Sequence, residues 1–254
     1  MARPKAKAAA EKAVQLESQS AEAHTSLAVF KLFYEFDWGG CEREFRRAIE
    51  LNPNYAFAHD QFAMALAFTG RFDESIAESR RAAELDPLSP QVLVDATMAL
   101  MFQKNFPAAK ALARKAAELD PTYFFPVMAE AWSDLEAGKF RQAIPFMKKA
   151  TTMGAPPFVT AYLAYTYAAA GDRGSAVTQL EALKKMSQGG QVLPFNLALV
   201  HLGFGDHVRA LDNLERALAA DSQMMAWLGR DAMFDPLRSE PRFMALMKKL
   251  NFVE

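Results

Sequence analysis

Three near-identical phrases, FRRAIELNP, SRRAAELDP and ARKAAELDP, end at Pro53, Pro87 and Pro121, 34 residues apart each time. This fixed period constrains the fold more than any other feature of the chain. A unit of that length cannot bury its apolar side alone, so copies must stack on one another. The same ruler runs through the turns. Gly70, Gly138, Gly171 and Gly205 follow at intervals of 68, 33 and 34 residues, with Lys104 in the skipped slot. Seven residues before these glycines stand Ala63, Ala131, Ala164 and Ala198. Five after them come Ser75, Ala143, Ala176 and Ala210, and twelve after them Ala82, Ala150, Leu183 and Ala217.

Small side chains at fixed places let two antiparallel helices approach closely and leave a slot for the next pair. Apolar residues at three- and four-residue spacing, as in IAESRRAAEL, fill the inward positions. The Asp-Pro endings push the residue before proline out of helical geometry and close each second helix. These features resemble the tetratricopeptide repeat, a 34-residue helix-turn-helix. The resemblance covers nearly the whole chain and implies an all-α, right-handed superhelical solenoid forming a single domain over residues 1–254. Residues 1–20 read as a leading second helix without its first, as in a piece of a longer protein or a start within a repeat. Repeats follow at 21–55, 56–89, 90–123, 124–157, 157–190 and 191–222, with a capping segment at 223–254. The first full repeat carries one extra residue and has the region around Phe36 where the turn glycine belongs. The third lacks the glycine but opens its second helix with Pro107, a favoured first-turn residue. Pro145 falls about one turn into a second helix, which predicts a kink or a late start.

Composition closes off several function classes. A net charge of −1 lacks the basic stripe that a non-specific nucleic-acid binder needs. The cluster Lys5, Lys7 and Lys12 reads as a solvated helix face. No apolar run approaches the ~20 residues of a membrane helix, and no signal-peptide core follows the N-terminus. The single cysteine, Cys41, cannot form an internal disulfide. The cytoplasm is the expected compartment.

Enzyme signatures are missing. There is no phosphate-cradling glycine loop and no dinucleotide fingerprint. His24 and His59 occupy equivalent places in neighbouring first helices, yet no cysteine or paired carboxylate surrounds them at metal-ligand spacing. Packed or partly exposed histidines are expected, with no metal, no cofactor and no catalytic residue. Cys41 sits in a slot where other copies have Ala or Ser and reads as a small core residue.

In a helical-hairpin solenoid the first helices line the concave face. Counting back from the turn slot places Met64, Phe68, Met98, Met101, Phe102, Met128, Trp132, Tyr165 and Phe195 along it. In the tetratricopeptide family peptides usually lie in that groove. Members that clamp a terminal carboxylate put Lys, Arg and Asn where this chain has Asp60, Val94, Met64 and Met98. A carboxylate clamp is therefore not expected. The stripe has two readings: a groove for an apolar or amphipathic helix or peptide, for which flexible methionines are suited, or packed core. The expected partner is a protein or peptide, with self-association into homo-oligomers as the alternative. Residues 36–59 and 234–252 resemble the C-terminal repeat arrays of bacterial multidomain signalling proteins, where the array follows a nucleotide cyclase, a protein kinase or a winged-helix domain. That implies a scaffold or sensor tail. In the ending SEPRFMALMKKL, Ser239 is the expected helix cap and Pro241 lies in the first turn. Phe243, Leu246 and Met247 form an apolar face expected to cover the open end of the array.

Overall fold

The structure, a computed structural model, describes residues 2–186, 192–220 and 222–252. A leading helix, α1 (Ala2–Leu16), is followed by six helical hairpins. They pair α2 (Ala21–Phe30) with α3 (Trp38–Leu51), α4 (Ala56–Phe68) with α5 (Phe72–Leu85), and α6 (Pro90–Phe102) with α7 (Phe106–Leu119). Next come α8 (Phe124–Glu136) with α9 (Phe140–Thr151), α10 (Pro157–Ala169) with α11 (Arg173–Met186), and α12 (Pro194–Gly203) with α13 (His207–Ala219). The terminal segment holds two 3-10 turns, Gln223–Gly229 and Ala232–Leu237, and then α14 (Pro241–Lys249). First helices α2, α4, α6 and α8 pack on one another in turn, as do α10 and α12. The result is an all-α, right-handed solenoid with no strand among the described residues.

The turn slots share one stereochemistry. Gly70, Gly138, Gly171 and Gly205 have φ of 83°, 69°, 88° and 74°. Lys104, at φ 61°, takes the same left-handed conformation in the skipped slot. The amide after each slot reaches back to a carbonyl five residues earlier, as in Arg71 to Leu66 and Asn105 to Leu100. This closes each first helix and satisfies its orphan carbonyls. In the first hairpin the left-handed residue is Phe36, at φ 52°, and the bond runs one residue further, from Asp37 N to Lys31 O. The extra residue is absorbed by a π turn at Lys31–Glu35.

The small-residue slots are buried in every hairpin. Cys41, Ser75, Ala109, Ala143, Ala176 and Ala210 form one set, and Ala48, Ala82, Ala116, Ala150, Leu183 and Ala217 the other. The one hydroxyl in the first set is satisfied across the hairpin, from Ser75 Oγ to Ala63 O at 2.6 Å. The helix carrying Pro145 does not start late: α9 begins at Phe140 and runs through the exposed proline to Thr151.

The terminal segment departs from the expected end cap. α14 does pack on α13, where Arg242 holds Glu215 at 2.8 Å and Asp212 at 2.7 Å. Its N-cap residue is Glu240 rather than Ser239, with no side-chain cap bond. The segment as a whole crosses the concave side to the first hairpin. Trp38 Nε1 donates to Leu250 O at 2.9 Å, Asn251 Nδ2 donates to Phe36 O at 3.2 Å, and the rings of Trp38 and Phe252 lie 4.7 Å apart. One continuous apolar core consequently runs from Ala28 to Leu250. The apolar side chains of the first helices and of the segment bury one another, and removing that surface from water favours the arrangement.

Candidate functional site

The concave stripe is where the fold gathers its least repetitive side chains. Phe68, Met98, Met101, Met128, Trp132, Tyr165 and Phe195 are buried, and Met64 and Phe102 are half-buried against them. All nine belong to the core that also contains Met225, Leu228 and Phe234 of the terminal segment. The segment fills this side of the solenoid as a bound peptide would. Its anchor is Trp227, whose ring meets Phe68 edge-on at 5.0 Å, Trp132 at 4.7 Å and Phe102 at 6.5 Å. Aromatic pairs at these separations add to the gain from burial alone.

Polar groups set the register of the segment. Arg230 Nε donates to Phe68 O at 3.2 Å and Nη2 to Thr69 O at 3.0 Å. These carbonyls end α4, where helix carbonyls lack internal partners and the dipole favours a cation. The turn glycine there has a second role: a Cβ on Gly70 would stand 2.6 Å from the Arg230 guanidinium. Gln223 donates to the Tyr34 hydroxyl.

The segment also brings one carboxyl against another. Asp231 is fully buried and caps its own turn, accepting from Met233 N at 2.9 Å. Glu136, the last residue of α8, accepts from Ala232 N at 3.3 Å. The two carboxyls are within hydrogen-bonding reach of each other. Burial, followed by the charge of Asp231, pushes Glu136 up to about 10. Burial pushes Asp231 up to about 6. Among the described residues no N–H or O–H reaches Asp231 Oδ2; a proton kept on Glu136 completes that atom. Tyr162, Tyr165, Asp235 and Arg238 are the other ionisable groups around the pair. A second pair ties α4 to α6: Asp60 and Asp95 are both raised by burial, with Gln61 and Gln91 donating to them at 3.0 and 2.7 Å.

The histidines are structural ties. His24 Nδ1 meets Glu44 at 2.6 Å and Nε2 meets Ser18 O at 3.2 Å. His59 repeats the arrangement with Glu78 at 2.5 Å and Pro53 O at 3.1 Å. Each histidine thus pins the loop before its hairpin to the hairpin's second helix, and among the described residues no hydrogen bond joins the two. Cys41 is buried with its thiol against Trp38 O at 3.1 Å, and burial raises it to about 12. Among the described residues no three His, Cys, Asp or Glu side chains converge as a metal site would require, and no helix is long and apolar enough to cross a membrane.

The sequence reading missed Trp227, Arg230, Asp231 and Glu136 as groove residues. Trp227 was the accessible signal, a tryptophan standing alone in a stretch without repeat spacing.

No protein-family model matches the chain, and neither does any curated protein. Solved structures do. A tetratricopeptide repeat protein from Parabacteroides merdae superposes with a TM-score of 0.64 at 12% identity, covering 98% of this chain and 92% of that one. TTC0263, a tetratricopeptide repeat protein of Thermus thermophilus, gives 0.61 at 18% identity over 77% of this chain and all of that one. The anaphase-promoting-complex assembly Cut9-Hcn1 gives 0.63 at 17% identity over 98% of this chain. The chain spans 46% of the length of that last structure. At these identities the likeness is one of fold, a tetratricopeptide-type solenoid.

Proposed function

We propose that this chain is a non-catalytic protein-interaction scaffold whose concave groove takes an apolar or amphipathic peptide segment of a protein partner. The observation that carries this reading is the seating of Trp227 among Phe68, Phe102 and Trp132. The groove already holds a segment of that chemistry, with an aromatic anchor and a guanidinium on the carbonyls ending α4. Helix and peptide docking into apolar grooves works by such anchors. The chain's own segment then acts as a competitor that a partner displaces. The resemblance of residues 36–59 and 234–252 to repeat arrays in bacterial signalling proteins supports an interaction tail in signalling or regulation.

The test uses the full chain with Trp227→Ala and a fluorescent peptide of residues 222–238. The variant, its helical circular dichroism intact, is expected to bind the peptide saturably, while the parent chain, with its groove filled, does not. A folded variant that ignores the peptide would refute the groove as a peptide site. Self-association is the second reading. The segment's contacts reach back along the chain to Tyr34, Phe36, Trp38 and Phe68, so exchange of the segment between two copies would preserve them. A concentration-dependent dimer in sedimentation, abolished by Trp227→Ala, would favour it.

A further inference from the structure

The terminal segment has a surface of its own. Between its second 3-10 turn and α14 lies a half-open cavity of about 870 Å³. This is within the range of small-molecule sites. Three cationic side chains line it, Arg230, Arg238 and Lys248, with the amide of Asn251. The apolar part of the lining is formed by Phe243, Met247 and Phe252.

The charges are poorly balanced. No Asp or Glu lines the cavity among the described residues. Arg238 is held by Asp235 at 2.6 Å and donates to the carbonyls of Gly229 and Asp231. Arg230 reaches only carbonyls, and Lys248 has no ion pair among the described residues. Three positive groups thus face one carboxylate that lies outside the lining. Burial and then the positive charge of Arg238 hold the Arg230 guanidinium below its ordinary value. Two guanidiniums facing one cavity repel each other, and an anion between them relieves that repulsion.

We infer that this cavity binds a small amphiphile, an oxyanion head held by Arg230, Arg238 and Lys248 with its apolar body against Phe243, Met247 and Phe252. Arg230 Nη1 has no hydrogen-bond partner among the described residues, and its N–H groups, with the positive charge of Arg238 beside them, suit an oxygen of a carboxylate or a phosphate. Lys248 adds an exposed point charge at the rim. The site shares Arg230 with the segment seated in the concave groove, so it is complete while that segment is in place.

The test is calorimetric titration of the full chain with decanoate, decyl phosphate and decyltrimethylammonium, each below its micelle concentration. Saturable one-to-one binding of at least one of the two anions is expected, with no binding of the cation that carries the same tail. The stronger of the two anions identifies the head group as carboxylate or phosphate. Lys248→Glu reverses a charge at the rim and is expected to weaken anion binding about tenfold. Met244→Ser, which shortens the partly exposed apolar rim without adding charge, is expected to weaken the tail contact. Equal binding of the cationic and anionic tails, or no saturable binding of either anion, would overturn the assignment. So would undiminished binding by Lys248→Glu.

Discussion

Replacing Glu136 by glutamine isolates one proton in the closure of the groove. In the native chain the Glu136–Asp231 pair keeps a proton from about pH 6 to about pH 10, because burial disfavours a second charge beside the first. The unfolded chain releases both protons near the ordinary values of 4.5 and 3.8. Both native values are raised, so the pair's contribution is fully present below the unfolded values and is lost as pH rises through the native ones. Between pH 6 and 10 the native state binds one proton more than the unfolded state. Stability therefore falls by about 1.4 kcal/mol per pH unit from this pair. A glutamine at 136 does not titrate; its amide can donate to Asp231 Oδ2 while its oxygen keeps the Ala232 amide. Glu136→Gln and the parent should thus diverge by about 1.4 kcal/mol for each unit of pH between 6.5 and 8.5, the variant being increasingly the more stable. Urea unfolding at pH 6.5, 7.5 and 8.5, followed by far-ultraviolet circular dichroism, measures that divergence. Other groups titrate in this window, His59 among them, but they are common to both chains and cancel in the difference. Stability curves that stay parallel across the three pH values would refute the shared proton.

Three further outcomes follow from the hairpins. Lys104→Gly relieves an exposed left-handed lysine at φ 61° and is expected to stabilise the chain by about 1 kcal/mol in the same urea assay. His59→Ala breaks the tie between Glu78 and Pro53 O at a cost of about 2 kcal/mol. The hydrogen bond to Glu78 raises the His59 value above 6.5, so this cost is greatest below pH 6.5 and shrinks as pH rises through the raised value. Cys41, fully buried and raised to about 12, should react with a thiol reagent such as Ellman's only at the rate of unfolding; prompt native labelling would place the thiol elsewhere.

The features legible in the sequence were those repeated along it. Helix ends, turn slots and small-residue slots are local requirements, so each copy states them again. The ruler even located Lys104 and the region of Phe36 as turn positions. Residue type gave no warning of their left-handed backbone, because only glycine advertises it. The extra residue of the first hairpin was countable, but its accommodation in a π turn depends on packing around Leu32 and Phe36. The histidines were recognised as equivalent, and their glutamate partners on the following helices were not. The closure of the groove was illegible for a different reason. Trp227, Arg230 and Asp231 act on residues far back in the chain, and a single long-range contact has no period to betray it. The nine stripe residues lie on the first helices, and what covers them is seen only in the folded segment.

The bond from Asn251 to Phe36 has a consequence for how the chain is made. An open array of hairpins can fold piece by piece as it leaves the ribosome, each unit docking on the one before. Here the piece that covers the concave face is synthesised after all six hairpins. Until it emerges, Trp38, Phe68, Phe102 and Trp132 lack the rings of Trp227 and Phe252 that pack on them. That interval, rather than the finished protein, is when this chain is most open to chaperones, to aggregation and to capture by whatever else fits the space.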